Sequence, residues 1–147
     1  MGRVIGSVII GYIVMFCVVF LVFTGAYFAI GAERAFRPGS FDASMLWNVL
    51  SIVLGFGAAV IGGMVCATIA KDPRGPKWLA VVVFVIGVAF AIPVLRQPPV
   101  SEPRPAGLSM MEAMGKARQT PWTALLNPVI GALGVMVGGR RRDGAAA

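Results

Sequence analysis

Hydrophobic and polar positions divide this chain into four long uncharged stretches that are joined by polar segments. Crossing the hydrocarbon core of a bilayer takes roughly 20 apolar helical residues, with about 17 to 25 tolerated, and each stretch is long enough. The pattern therefore predicts an all-α fold, a four-helix transmembrane bundle that forms a single membrane domain over residues 1–147. The predicted spans cover about residues 4–32, 43–70, 78–95 and 121–139.

Two alternatives apply to single stretches. Any one stretch could be the core helix of a soluble domain, but four of them in 147 residues leave too little polar chain to cover such a core. The first stretch follows a short basic start, as a secretory signal does. Its apolar run of residues 4–32 nevertheless far exceeds the roughly 7 to 15 apolar residues of a signal. We interpret it as a retained first span.

Residues with known positional preferences set the predicted ends of the spans. Asp42 or Ser44 can cap the second span, and residues 71–77 form a tight basic turn. Thr120 is a suitable N-cap for a fourth span that begins with Pro121. Tryptophan is enriched at membrane interfaces, and all three tryptophans lie at the start of a predicted span: Trp47, Trp78 and Trp122.

The long connection between spans three and four begins with a proline-rich, extended segment and ends with a helical pattern. Ser109 and Glu112 fit a helix capping box, and Glu112 and Lys116 form a favourable pair of opposite charge. Methionine and alanine side chains share one face of this segment, so we predict a short interfacial amphipathic helix over residues 109–119. The alternative is a frayed loop, because Gly115 costs about 1 kcal/mol inside a helix.

Composition supports the membrane assignment and excludes several kinds of chemistry. Hydrophobic residues make up 58% of the chain and charged residues 13%, whereas soluble domains average about 45 to 50% and roughly 25%. Histidine is absent, which excludes His-ligated haem, His-containing zinc sites, Ser-His-Asp triads and histidine proton relays. Cys17 and Cys66 lie in apolar stretches at different depths and indicate neither a disulfide nor a zinc site.

Ionisable residues are absent from the predicted spans, which contain no Asp, Glu, Lys or Arg. Such residues commonly mark proton-coupled transport and voltage sensing, so neither is expected. The nearest carboxylate, Glu33, is expected to pair with Arg34 or Arg37 at the membrane interface. We therefore predict no catalytic residue, no cofactor and no metal, and we predict that the chain is not an enzyme.

Basic charge collects at the edges of the spans, and the net charge is +7. Lysine and arginine at these places typically face lipid headgroups, so the predicted partner is the bilayer, with anionic lipids, and not nucleic acid. Basic residues divide almost equally between the two sides of the bundle. The turn of residues 71–77 and the basic tail of residues 140–147 directly abut spans. This placement favours a multi-pass protein of the cytoplasmic (inner) membrane with both termini in the cytoplasm.

Small residues form the strongest local pattern. One stripe of the second span carries a small residue at every fourth position: Gly55, Ala59, Gly63 and Ala67. The stripe beside it holds Ala58, Gly62, Cys66 and Ala70, and the fourth span repeats the spacing with Gly134 and Gly138. Small residues let helix backbones approach closely, which is a main source of helix association in lipid. The second span is thus the predicted central packing helix, and it can contact its own chain, a second copy in a homo-oligomer or a subunit of a larger membrane complex.

Two uncharged polar residues, Asn48 and Asn127, lie near the starts of spans that begin on the same side of the membrane. They are expected at similar depth, where they can hydrogen-bond to each other as a structural clamp. The alternative is a polar site that faces an outer cavity. Pro128 follows directly and removes one helical hydrogen bond, so a kink is expected there.

The run of residues 62–70, the basic proline turn after it, and the span that opens with Pro121 and Trp122 and closes with residues 138–141 carry a resemblance. They resemble small uncharacterised four-span bacterial integral membrane proteins, over roughly residues 55–142. The resemblance implies the same four-span architecture in a bacterial membrane and brings no activity with it.

Two functions remain in view. The first is a non-enzymatic accessory or structural membrane protein that packs against itself or another membrane subunit through the stripe at Gly63. The second is a small transporter or channel for a neutral or weakly polar solute, which uses Asn48, Asn127 and a kink at Pro128.

Overall fold

A computed structural model describes residues 2–98, 103–105 and 107–143 of the chain, and these residues form six helices and no strand. The helices are α1 (Gly2–Ile30), α2 (Ala32–Ala35), α3 (Met45–Ala70), α4 (Arg74–Leu95), α5 (Met110–Gly115) and α6 (Pro121–Asp143). Four of them, α1, α3, α4 and α6, are long and apolar enough to cross a membrane. The all-α architecture with four candidate spans is confirmed.

Local hydrogen bonds and backbone angles place the helix ends. The Ser44 side chain accepts the Trp47 N–H at 3.1 Å, so Ser44 and not Asp42 caps α3. Helix α1 ends at Ile30, short of the predicted residue 32, because Gly31 has a φ of 76°.

Two other boundaries differ from the predicted ones. Helix α4 begins at Arg74, before the predicted residue 78, where the Asp72 carboxylate accepts the Arg74 N–H at 2.8 Å. Helix α6 continues to Asp143, so the basic tail predicted for residues 140–147 begins inside a helix, and residues 144–147 lie outside the described residues.

Helix α3 is the central helix of the bundle and packs against α1, α4 and α6. Helix α6 also packs against α4, whereas α1 and α6 do not contact each other within the described residues. A core of small and medium side chains fills the space between α1, α3, α4 and α6: Ala59, Cys66, Leu79, Ala80, Val83 and Val135.

The bundle has two different ends. We call the end with the first turns of α1 and α4 and the last turns of α3 and α6 the terminal end. The opposite end, which α2, α5 and residues 36–44 cover, is the capped end. Four backbone hydrogen bonds hold that cover together, including Arg118 N–H to Phe41 C=O and Ala43 N–H to Arg118 C=O, both 2.9 Å. The cover is therefore attached to the segment that leads into α6.

Helix α5 has only 6 residues and occupies part of the predicted range of residues 109–119. Ser109 and Glu112 form the predicted capping box: the Glu112 N–H donates to Ser109 Oγ at 3.3 Å, and the Ser109 N–H donates to a Glu112 carboxylate oxygen at 3.0 Å. These bonds to Ser109 and the charge of Lys116 hold the pKa of the Glu112 carboxyl below its ordinary value of 4.5. The residue that α5 buries is Ala113, whereas Met111 is 67% exposed.

Candidate functional site

Asn48 is the centre of a hydrogen-bond network at the capped end. It lies in the first turn of α3 and is 2% exposed. Its carbonyl oxygen Oδ1 accepts from the Thr120 and Thr123 hydroxyls, both at 3.1 Å, and these hydroxyls lie 2.5 Å from each other. The Ser51 hydroxyl donates to the Asn48 backbone carbonyl at 2.8 Å. The network fixes the start of α6 against α3.

Asn127 is not part of this network, and the predicted hydrogen bond between the two amides is not formed. Asn48 instead bonds to residues nearer the start of α6, because Thr120 and Thr123 lie closer to its level. Asn127 is half-buried, and its side chain makes no hydrogen bond to the residues that the structure describes. Both asparagines nevertheless line the same cavity.

This cavity has a volume of about 310 Å³ and lies between α1, α3, α5 and the start of α6. Phe23 and Tyr27 of α1 line one side, Trp47 and Asn48 of α3 line the back, and Asn127 of α6 lines the opposite side. The lining is mainly apolar, with a few amide and hydroxyl groups. This mixture is typical of small-molecule sites.

Aromatic rings that pack edge to face build one wall of the cavity. Trp47 lies 5.9 Å from Tyr27 and 6.0 Å from Phe23 between ring centroids, with interplanar angles of 81° and 86°. Tyr27 also lies 6.1 Å from Phe36. Edge-to-face pairs contribute about 0.5 to 1.5 kcal/mol beyond area burial, so the wall has a fixed shape.

Charged groups around the cavity are paired with opposite charges. Arg118, which lines the cavity, has its Nε 3.8 Å from the Asp42 carboxylate and 3.3 Å from Gln97 Oε1. Arg104 binds Glu33 at 3.0 Å and lies 5.6 Å from the centre of the Phe36 ring. The predicted pairing of Glu33 with its sequence neighbours is therefore wrong, because an arginine from the distant connection reaches this carboxylate.

The predicted packing residues lie where α3 meets α6. A methyl group on Gly63 would overlap the Val135 carbonyl, and one on Gly138 would overlap the Val60 carbonyl. A Cβ on Gly134 would lie 2.7 Å from the Ala59 Cβ. The two backbones thus touch directly, and the partner of this stripe is the chain's own α6.

The ends of the stripe are less crowded. Ala67 is 9% exposed, so it is almost covered. A methyl group on Gly55 would meet no atom within 4 Å. Tight packing is therefore confined to the part of the stripe between these two residues.

The second stripe of α3 packs against α1, through residues that the sequence reasoning did not single out. A Cβ on Gly11 would lie 2.8 Å from the Cys66 Cβ and 3.1 Å from the Gly62 carbonyl oxygen. Ser7 is fully buried, and its hydroxyl lies 3.6 Å from Cys66 Sγ. Gly75 of α4 closes the same junction. Ser7 and Gly11 are four residues apart, so the small-residue spacing in the first span was the signal that could have found them.

Chemically, the capped end offers hydrogen bonding and apolar contact. No three His, Cys, Asp or Glu side chains come together among the described residues to hold a metal ion. In comparisons with family models, curated proteins and solved structures, nothing matches this chain.

Proposed function

We propose that this chain is a non-enzymatic integral membrane protein of accessory or structural type, which packs against a second copy or against another membrane subunit. The setting that we propose is a bacterial cytoplasmic membrane with both termini in the cytoplasm. Exposed basic residues at the terminal end, which include Lys71, Arg74, Lys77 and Arg140, support contact with anionic headgroups there.

The uneven cover of the four spans carries this proposal. In the most apolar part of each span, 11% of α1 is buried, compared with 22% of α4, 33% of α3 and 39% of α6. Helix α1 packs against α3 and α4 on one side only. Its other side presents a row of large side chains that are 53 to 61% exposed: Ile13, Phe16 and Phe20. A span that its own bundle leaves open is a natural place for a partner helix.

The small-residue stripe of α3 is not the surface that we propose for a partner. Ala59 and Gly63 are covered by α6 of the same chain. Docking through Gly63 would require α6 to leave. We therefore place the partner contact on the outer side of α1.

Packing of the terminal end supports this function over solute transport. Cys66, Leu79 and Val135 are fully buried there, and the backbones of α3 and α6 touch near Gly63. A solute that entered at the capped end would have to separate these contacts to cross the bundle.

Photo-crosslinking in native membranes tests the proposal. A benzophenone amino acid replaces Phe16 on the outer side of α1 or, as the matched control, Val85 on α4, which is similarly exposed at 59%. We expect a discrete protein adduct from position 16 and none from position 85. Mass spectrometry of the adduct identifies a second copy or one other membrane protein. Lipid adducts alone at both positions would refute the proposal.

Cys17 distinguishes a second copy from a different partner. It is exposed on α1 next to Phe16, whereas Cys66 is buried. Mild oxidation should produce a disulfide-linked dimer of the Cys66→Ala protein if α1 packs against α1. The Cys17→Ser, Cys66→Ala, Val85→Cys protein is the control and should stay monomeric.

A further inference from the structure

The cavity at the capped end is separate from the outer surface of α1 and is unoccupied by the protein's own side chains. Its volume of about 310 Å³ lies at the lower limit of small-molecule sites, which range from about 300 to 1,000 Å³. We propose that this cavity binds a compact, uncharged ring compound with carbonyl or hydroxyl groups, which enters from the bilayer.

The shape of the cavity favours a flat ring. Trp47, Tyr27 and Phe23 hold one another edge to face at centroid distances of 5.9 and 6.0 Å. Tyr27 is 3% exposed and Phe36 4% exposed, so the surrounding chain fixes both rings. A planar apolar ligand can stack on this wall or meet it at an edge.

Hydrogen-bonding groups with unused capacity lie opposite the aromatic wall. Asn127 is half-buried, lines the cavity and makes no hydrogen bond to the described residues, so its amide has two donors and an acceptor to offer. Ser51 donates to the Asn48 carbonyl and keeps its own lone pairs for a ligand. A ligand with a carbonyl or hydroxyl group satisfies these groups, whereas a pure hydrocarbon leaves them unpaired.

The charges at the cavity favour an uncharged ligand. Arg118 contributes the cationic group of the lining, and the Asp42 carboxylate already lies 3.8 Å from its Nε. The same guanidinium donates to Gln97 and to the Pro98 carbonyl. An anionic ligand would have to displace these partners, and a cationic ligand would meet a like charge.

Access from the bilayer follows from the arrangement of the helices. Helices α1 and α6 line opposite sides of the cavity and do not pack against each other within the described residues. Met114, at the α5 side of the lining, is 41% exposed. A lipid-dissolved molecule can therefore approach between two spans without crossing the cover at residues 36–44.

Fluorescence quenching of Trp47 in lipid nanodiscs tests the proposal, with 1,4-naphthoquinone as the probe. The full-length protein carries Trp78→Phe and Trp122→Phe, so that Trp47 alone reports. We expect saturable quenching, whereas a protein that keeps Trp122 alone, which lies at the same end outside this lining, should show only the linear quenching of lipid-dissolved quinone. Absence of a saturable component at Trp47 would overturn the proposal.

Matched ligands and variants then test the chemistry. Naphthalene, measured by displacement of the quinone, should bind about three- to tenfold more weakly, as expected for one lost hydrogen bond, and 2-naphthoate at least as weakly. Asn127→Leu should remove that same factor for the quinone and leave naphthalene unchanged. Ala117→Phe, which places a ring at the exposed edge of the lining, should abolish saturable binding of both. Unchanged quinone affinity in either variant would refute the assignment of the cavity.

Discussion

The two ends of this bundle are built from opposite materials. At the terminal end, Gly63 and Gly138 bring the backbones of α3 and α6 into contact. At the capped end, aromatic side chains and a buried amide surround a cavity of about 310 Å³. The same helices thus close one end with their smallest side chains and hold space open at the other with their largest.

The difference follows from what stabilises helix pairs in lipid. Apolar side chains gain little by leaving lipid for each other, so association depends on close van der Waals contact and on hydrogen bonds. The terminal end uses the first of these. The capped end uses the second, through the bonds of Asn48 to Thr120 and Thr123 and through the backbone bonds of its cover.

The largest expected effect comes from filling the close contact at the terminal end. Gly63→Ala should destabilise the bundle by about 1 to 3 kcal/mol or prevent its folding, because the new methyl group overlaps a carbonyl of α6 and overpacking costs this much. Thermal or detergent unfolding of the purified protein measures the change. Gly55→Ala is the control in the same stripe and should change stability little, since no atom lies within 4 Å of its added methyl group. Equal stability of the two variants would mean that the two ends do not differ in this way.

The sequence was sufficient for the features that depend on neighbouring residues. Uncharged stretches located the four candidate spans, Ser44 was one of two named caps, and the spacing of small residues marked the positions where α3 and α6 meet. Each of these signals repeats or ends within a few turns of one helix. The pattern left the partner of Gly63 undecided, because spacing reports the shape of one surface and not what covers it.

Contacts between distant segments were beyond the reach of the pattern. Arg104 and Glu33 are separated by 71 positions, and Thr120 and Asn48 by 72. Sequence reasoning paired Glu33 with its neighbours because nothing local indicated that residues 103–105 fold back over α2. The cavity has the same origin, since it exists only where several segments enclose it.

A smaller effect is expected from the hydrogen-bond network that closes the capped end. Asn48→Ala removes the acceptor of two threonine hydroxyls and should cost about 1 to 2 kcal/mol. Thr120 and Thr123 still bond to each other, which limits the loss. Asn127→Leu is the control on the facing helix and should leave the unfolding temperature nearly unchanged, because its side chain has no hydrogen bond to lose within the described residues. If Asn127→Leu were the more destabilising of the two, the assignment of the network to Asn48 would fail.

The smallest expected effect is confined to α5, which contributes Met114 to the cavity. Hydrogen bonds from Ser109 lower the pKa of Glu112 in the folded state, so the ionised carboxylate stabilises α5 above the ordinary pKa of 4.5, and this contribution disappears as pH falls through the lowered value. Acidification to below that value should loosen α5 while the bundle stays folded, which methyl NMR of Met111 and Met114 would detect. Glu112→Gln keeps an acceptor for the Ser109 N–H and should remove the pH dependence, whereas in Ser109→Ala the loss should begin at higher pH. A pH response of equal size in Glu112→Gln would assign the transition to another group and would show that the capped end is held together without this helix cap.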